Sequence, residues 1–364
     1  MGTTRGNFDF IYSMRQHIRY LVTPDGAHMA WAEIGSGPTL VKPATWLTHL
    51  EYDWESPVWK HWMRFLSGHF RYIRYDERGC GMSDWRAASG SIEHAVPDLE
   101  CVVDKAGIEQ PFVLLGISQG SATAIEYAAR HPEKVSHLVL YGGYARGATQ
   151  RGNPDTARFY DAMMEMIRQR WASDNPAFRQ VFTSRFAPEA TPTQLHWFND
   201  LCRRTTSPES AALLMKAHSM VNVVDLLPQI RTPTLVVHAR NDEVTPIEES
   251  RLLAAAIPGA DFVELDSRNH ILLESEPAWQ TFQSLVLEFT GAGHAGNSAF
   301  NELSSRERAI LALITKGLSN AEIAEQLGIS DKTVRNHVSR LFEKLAVTSR
   351  AQAIVLAHAQ GFHD

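Results

Sequence analysis

Cysteine is scarce: Cys80, Cys101 and Cys202 are the only three, widely spaced and with no CxxC pair. That excludes a disulfide framework or a cysteine zinc site as the organising device. Long apolar runs are missing as well. The opening residues, MGTTRGNFDFIYSMRQH, lack the apolar stretch of a secretory signal. No run approaches the roughly 20 residues that a membrane helix needs. The expectation is a cytoplasmic protein with no membrane partner. Excess positive charge is also absent, since the net charge is −6, which speaks against a nucleic-acid surface over the whole body. The charge is unevenly placed, however. Residues 300–364 carry 8 Lys and Arg against 7 Asp and Glu, so the acidic excess lies before them, and residues 332–350 hold five basic side chains against Glu343 alone. An acidic body with a locally basic end points to an anionic partner at that end.

What is present is ordinary globular material: 44% hydrophobic and 21% charged residues over 364 positions, enough for more than one core. Short apolar runs at 18–23, 28–34, 39–43, 70–75, 112–116, 136–142, 233–239 and 261–265 read as strands. Pro24-Asp25-Gly26 joins the first two as a hairpin turn. PFVLLG, HLVLYG and PTLVVHA are apolar on both faces, as strands inside a parallel sheet must be. Helical patterns lie between them, at 119–130 and 247–256 for example. The alternation predicts an α/β, doubly wound, mostly parallel sheet. It breaks at about 147–227, a stretch of helical pattern with Phe159, Met163, Met164, Trp171, Phe182, Trp197 and Phe198, which reads as a helical insertion. Its Met and aromatic stripe either lines an apolar pocket or packs the insertion on the sheet. After a last helix near Phe289, residues 291–299 (GAGHAGNSA) read as a linker between a domain at 1–290 and another at 300–364.

Gly116-Ile117-Ser118-Gln119-Gly120 follows a strand and opens a helix. Glycines on both sides of Ser118 permit a turn sharp enough to lift its hydroxyl above the sheet, as a nucleophile elbow requires. The helix start then offers the Gln119 backbone N–H to a developing oxyanion. The acid and base of such a site come later in the chain, at the carboxyl ends of strands. Asp242 follows the strand at 233–239, with Glu243 the alternative acid; His270 follows the strand at 261–265. Asp242 would orient the imidazole, and His270 would act as general base toward Ser118. Neither a metal constellation nor a cofactor motif is visible, so none is expected.

Together with Tyr75-Asp76-Glu77-Arg78-Gly79-Cys80-Gly81-Met82-Ser83-Asp84, these motifs make the chain from about His17 to Phe289 resemble the α/β-hydrolase superfamily of esterases, peptidases and cofactor-free haloperoxidases. The resemblance implies that the insertion is a helical cap. It also implies a second oxyanion donor after the third strand, where the family carries His-Gly. Here the stretch is Lys42-Pro43-Ala44-Thr45-Trp46, and the Trp46 N–H takes that role.

The C-terminal region is helical throughout. Ser304-x-x-Glu307, Ser319-x-x-Glu322 and Ser349-x-x-Gln352 read as capping boxes, and Gly317 and Gly328 stand where helices stop. A further helix from Ser330 to about Leu345 carries Val334, Val338, Leu341 and Leu345 on one face. Its other face holds Lys332, Thr333, Arg335, Asn336, Ser339 and Arg340, a set able to bind phosphates and read base edges. Leu303-Ser-Ser-Arg-Glu-Arg, Gly317-Leu-Ser-Asn-Ala-Glu-Ile-Ala, Ile329-Ser-Asp-Lys-Thr-Val-Arg-Asn-His-Val, Lys344-Leu-Ala-Val and Arg350 strongly resemble the LuxR-type helix-turn-helix, a small four-helix all-α domain. The resemblance adds His337 and Lys344 to the DNA face. It also implies a homodimer through the last helix, with Ala353, Ile354 and Ala357 at the seam.

The expectation is a transcriptional regulator: the hydrolase-like domain binds, and in one reading hydrolyses, a small ester- or lactone-like ligand, and the C-terminal domain binds promoter DNA. Two alternatives stay open here, an active esterase with an accessory DNA-binding domain and a catalytically inactive ligand sensor.

Overall fold

The computed structural model describes residues 16–45, 47–292, 300, 303–345, 347–359 and 362. Most of the sequence-read linker, 293–299, lies outside them. The chain divides into two compact units, Met1–Thr290 and Gly291–Asp364.

The first unit is built on an eight-stranded sheet. β1 (His17–Val22) and β2 (His28–Ile34) form an antiparallel hairpin, with Gly26 at φ +91° in the turn. β3 (Thr39–Lys42), β4 (Arg71–Tyr75), β5 (Phe112–Ile117), β6 (Val135–Tyr141), β7 (Thr234–Ala239) and β8 (Asp261–Leu265) follow, in the spatial order β1-β2-β4-β3-β5-β6-β7-β8. β2 meets β4 antiparallel, and every later pairing is parallel. All residues of β5 and β7 are buried, as their apolar faces require. The order reverses direction at β3–β5, so the crevice at the carboxyl ends of these strands is where an open α/β sheet builds its site.

The helices α1 (Lys60–His69), α2 (Ala95–Lys105), α3 (Gly120–Arg130), α8 (Ile247–Ala256) and α9 (Pro277–Thr290) alternate with the strands. Between β6 and β7 comes the insertion: α4 (Pro154–Arg170), α5 (Ala177–Thr183), α6 (Pro192–Thr205) and α7 (Pro208–Ser219). Three of these open on capped N-termini with proline in the first turn, at Asn153, Thr191 and Ser207. Trp171 and Phe198 pack within the insertion, at 0% and 1% exposure, whereas Phe159 is 44% exposed. Phe159, Met163 and Phe182 also line a pocket, so the stripe does both of the jobs that the sequence left open.

One close approach shapes the centre of this unit. A Cβ on Gly116 would stand 2.7 Å from the Ser121 Cα, so only glycine lets β5 turn directly into α3. The loop after β4 is fixed by Asp76, whose two oxygens accept from the Thr48 hydroxyl and from the Leu50 and Met82 N–H groups.

The second unit has its own core of Phe300, Ile310, Ile314, Ile323, Val334, Leu341 and Ala353 among others. Its helices are α10 (Ser305–Thr315), α11 (Asn320–Leu327), α12 (Asp331–Lys344) and α13 (Arg350–Ala359). The capping boxes at Ser304/Glu307 and Ser319/Glu322 are both complete, and Gly317 and Gly328 adopt positive φ at the helix stops. The third box differs. Ser349 Oγ accepts from the Gln352 N–H, but the Gln352 side chain reaches back one residue further, to the N–H and hydroxyl of Thr348.

Glu307 does two jobs. It caps α10 and accepts from Lys344 Nζ at 2.7 Å, joining the starts of α10 and the end of α12. The Lys344 hydrogen bond and the Ser304 donors hold its carboxyl down at about 2. A depressed carboxyl stabilises the fold above its unfolded value, near 4.3, and that contribution is lost as pH falls toward about 2. Glu307→Gln should therefore lower the melting temperature of the C-terminal transition in scanning calorimetry of the full chain at pH 7. The gap to wild type should narrow between pH 5 and pH 3, and a gap that stays constant would contradict this assignment.

Candidate functional site

Ser118 occupies the turn between β5 and α3 at φ +52°, a left-handed conformation that a residue with a Cβ rarely adopts. Such backbone costs about 1–3 kcal/mol and persists only where the surroundings impose it. Here they are the tight Gly116 contact and Gly120, whose absent side chain would meet the Ala44 carbonyl at 3.2 Å and Thr45 Cγ2 at 3.3 Å. The Ser118 N–H donates to the Tyr141 carbonyl at 2.9 Å, tying the turn to the end of β6. Gln119 is the N-cap of α3, so its N–H is among those that a helix start leaves without an intrahelical acceptor. The other oxyanion candidate, Trp46, lies outside the described residues. Just before it, the buried Lys42 reaches 3.4 Å from both the Pro43 carbonyl and Thr45 Oγ1. Burial pushes its ammonium down to about 8.

Asp242 and His270 are brought together. The Asp242 carboxylate accepts from His270 Nδ1 at 2.5 Å, with both side chains at most 2% exposed. Its other oxygen accepts the N–H groups of Val244 and Thr245, at 2.7 and 3.0 Å. Burial works to raise the Asp242 carboxyl, but the charge and hydrogen bond of His270, with His238 and Thr245 behind them, hold it below its ordinary value. His270 Nε2 is buried and has no hydrogen-bond partner among the described residues. With Nδ1 donating to Asp242, Nε2 is the nitrogen left to accept a proton. Glu243, the alternative acid, instead ion-pairs at the surface with Arg268.

Several supporting residues carry no motif. Gly142, at φ +56° directly after β6, lies so close that a Cβ would meet His270 Cε1 at 3.1 Å. His238 on β7 is fully buried. Its Nε2 must donate to the Thr245 carbonyl, leaving Nδ1 to accept from Ser250 Oγ at 2.7 Å, and burial pushes its pKa down. A neutral His238 thus braces the Asp242 loop. On the other side, Ser267 and Asn269 both bond Glu276, while the Asn269 amide also meets Glu189 and the Ile271 N–H donates to the Phe186 carbonyl. The segment between α5 and α6 is therefore pinned to the His270 loop, with the Phe186 ring edge-on to the imidazole at 5.5 Å.

A pocket opens onto Ser118 and Gln119. Tyr144, Phe159, Met163, Phe182 and Met215 supply apolar wall, and Arg151 and Arg185 supply charge. An outer groove shares Arg151, Phe159, Tyr160, Arg185 and Val244 with it and leads to solvent. Among the described residues, no group of His, Cys, Asp and Glu side chains is arranged to hold a metal ion.

In the second unit, Lys332, Arg335, Asn336, Ser339 and Arg340 are exposed on α12, with Thr333 and His337 half-buried among them. Val334, Val338 and Leu341 face the core. Thr333 also serves the cap, its N–H donating to Ser330 Oγ at 3.1 Å. Three of the basic side chains are engaged within the module: Lys344 with Glu307, Arg350 with Asn320, and Arg335 with Asp331 one turn away. Lys344 thus also links two helices, its exposed side chain reaching a Glu307 carboxylate that is 5% exposed. The seam expected on the last helix needs correction. Ala353 and Ala357 are fully buried in the module's own core, and it is Ala351 and Val355, one turn apart, that α13 exposes, with Ile354 half-buried.

Comparison with known proteins agrees with this division. A family model for the alpha/beta hydrolase fold matches residues 48–277, and one for the bacterial regulatory proteins of the luxR family matches residues 301–357. The AB hydrolase superfamily protein YisY of Bacillus subtilis is 26% identical over 289 residues, spanning 75% of this chain and 99% of that protein. The enol-lactonase of Burkholderia xenovorans superposes with a TM-score of 0.61 at 26% identity, covering 75% of this chain and all of that one. The transcriptional regulatory protein LiaR of Bacillus subtilis is 35% identical over 126 residues, spanning 32% of this chain and 56% of its own length. The chain therefore belongs to the α/β-hydrolase fold family, and it carries a LuxR-type DNA-binding domain fused to the C-terminal side of that fold.

Proposed function

We propose that the first unit is a serine hydrolase that captures an ester- or lactone-like ligand at Ser118. The second unit binds promoter DNA as a homodimer, and ligand occupancy sets its DNA affinity, so the chain acts in the cytoplasm as a ligand-responsive transcriptional regulator. The observation that carries the hydrolase half is the pairing of a left-handed Ser118 with a buried His270 whose Nε2 is unpartnered and whose Nδ1 is held by Asp242. A strained serine and an imidazole held by a carboxylate, both at the carboxyl ends of strands of one sheet, are the parts that acyl transfer uses. The likeness to a lactonase supports the choice of ligand, and the match to LiaR supports the regulatory role. Among the described residues, no helix is long and apolar enough to cross a membrane.

The chemistry runs as acyl transfer. Ser118 Oγ attacks the ligand carbonyl while His270 Nε2 takes the hydroxyl proton. The Gln119 N–H donates to the carbonyl oxygen as negative charge collects there. The tetrahedral adduct collapses, the leaving alkoxide takes the proton back from His270, and an acyl-Ser118 ester remains. Water then attacks that ester as His270 removes its proton, and the second collapse returns the serine hydroxyl and releases the acid. Asp242 stays ionised throughout, orienting the ring and stabilising its charged form.

Three outcomes test the two halves. A fluorophosphonate probe read by intact mass should label wild type once, fail on Ser118→Ala, and label His270→Ala far more slowly. Labelling that persists in Ser118→Ala would remove the assignment. Asp242→Asn should lower kcat for a generic ester by about 10³–10⁴ while changing KM little. In the full chain, Arg340→Ala and Lys332→Ala should each reduce the slope of log affinity against log salt by about 1 on any DNA sequence. An unchanged slope would take α12 off the DNA.

A further inference from the structure

The charges in the pocket before Ser118 are one-sided. Its lining includes two guanidinium groups, Arg151 and Arg185, and no carboxylate. Arg185 follows α5 and immediately precedes Phe186, whose ring rests against His270. Its guanidinium bonds the backbone carbonyl of Glu243 and sits 5.3 Å from the centre of the Phe159 ring. Neither is an anion, and among the described residues no acidic side chain pairs with it. Five donors in a fixed fork are thus left largely free in a half-buried, mostly apolar pocket.

Arg151 is only partly compensated. It donates to the Arg146 carbonyl at 3.0 Å and lies 5.2 Å from the centre of the Tyr144 ring. The nearest carboxylate oxygen, on Glu249, is 3.8 Å away and already accepts from Arg146 at 2.7 Å. The acids of the outer groove do not alter this. Asp155 is paired with Arg158, Glu243 with Arg268 and Asp242 with His270, which leaves Glu248 on the outer rim. A buried or half-buried cation without a counter-ion is unfavourable unless a ligand supplies one.

We propose that the substrate is an apolar ester or lactone that carries a carboxylate, held by Arg185 with Arg151 beside it. This rests on the hydrolase reading of Ser118 and adds the class of compound that the site selects. A guanidinium fork meets the two coplanar oxygens of a carboxylate with two parallel hydrogen bonds, which fixes the orientation as well as the affinity of the ligand. The wall of Tyr144, Met163, Phe182 and Met215 takes the carbon skeleton. The reacting carbonyl then lies at Ser118, at the far end of the molecule from its charge.

The test compares 4-nitrophenyl hydrogen glutarate with 4-nitrophenyl pentanoate, esters of equal chain length with and without a terminal carboxylate. Wild type should favour the charged ester by about tenfold or more in kcat/KM, the scale of a charge-assisted hydrogen bond. That ratio should collapse toward one in Arg185→Gln, recover in part in Arg185→Lys, and decline in Arg151→Gln. A ratio near one in wild type, or one that survives in Arg185→Gln while both esters slow equally, would overturn the proposal. A second readout is independent of turnover: calorimetric binding of the matching 4-nitroanilides to full-length Ser118→Ala protein. Tighter binding of the charged anilide, lost on adding Arg185→Gln, supports the carboxylate site even if neither ester is cleaved, in which case only the hydrolase reading fails. Equal binding of the two anilides overturns the site itself.

Discussion

Ser118 stands at φ +52° because β5 must stop, reverse and enter α3 within two residues, and the rest of the first unit is arranged around that demand. Gly116 and Gly120 remove the side chains that would keep α3 and the loop after β3 away. Gly142 does the same for the imidazole, so His270 settles directly over the end of β6, whose Tyr141 carbonyl holds the Ser118 N–H. The strain of the elbow, about 1–3 kcal/mol, is small beside a fully buried central sheet. That is why a rigid doubly wound core can hold a serine in a conformation that a free loop would abandon.

Around the elbow, polar burial is managed by pairing. His238 is neutral and satisfied at both nitrogens, Asp242 has acceptors filled on both oxygens, and Asn269 with Ser267 meets Glu276. Among the described residues His270 Nε2 is left without a partner, as are Ser121 Oγ beside the elbow and Thr245 Oγ1 in the Asp242 loop. An unsatisfied buried nitrogen costs free energy in the resting protein, and its compensation comes when a ligand or the Ser118 hydroxyl engages it. The free donors of Arg185 follow the same logic, on the residue just before the ring that packs on His270.

Much of this was legible in the sequence, and the reason is locality. The elbow is a five-residue pattern with its strand before it and its helix after it, so the turn at Ser118 and the helix start at Gln119 could be read without any knowledge of tertiary structure. Asp242 and His270 were readable because chain order fixes which strand ends face the serine. The capping boxes at Ser304 and Ser319 are equally local. Residues whose role depends on how distant segments meet were not readable. Arg151 and Arg185 lie in an insertion whose helices show amphipathic pattern but not which side meets the pocket. Gly142 and His238 look like ordinary strand-end and strand residues. On α13, Ala353 and Ala357 have the small, apolar look of a seam, but the module's own core claims them.

The central claim is that one chain links the chemical state of Ser118 to the DNA affinity of the C-terminal module, which requires the occupied and empty forms to favour different DNA-binding arrangements. The direct measurement is equilibrium binding of the full-length protein to a DNA fragment selected by the protein itself from random sequence. It should be made at fixed salt, before and after complete labelling of Ser118 by a fluorophosphonate, with the dimerisation constant measured for both forms. The account predicts a change in intrinsic DNA affinity of about fivefold or more, the lower end of ordinary allosteric couplings. Equal intrinsic affinities for labelled and unlabelled protein would contradict it, leaving a hydrolase and a DNA-binding domain that share a chain without sharing a signal.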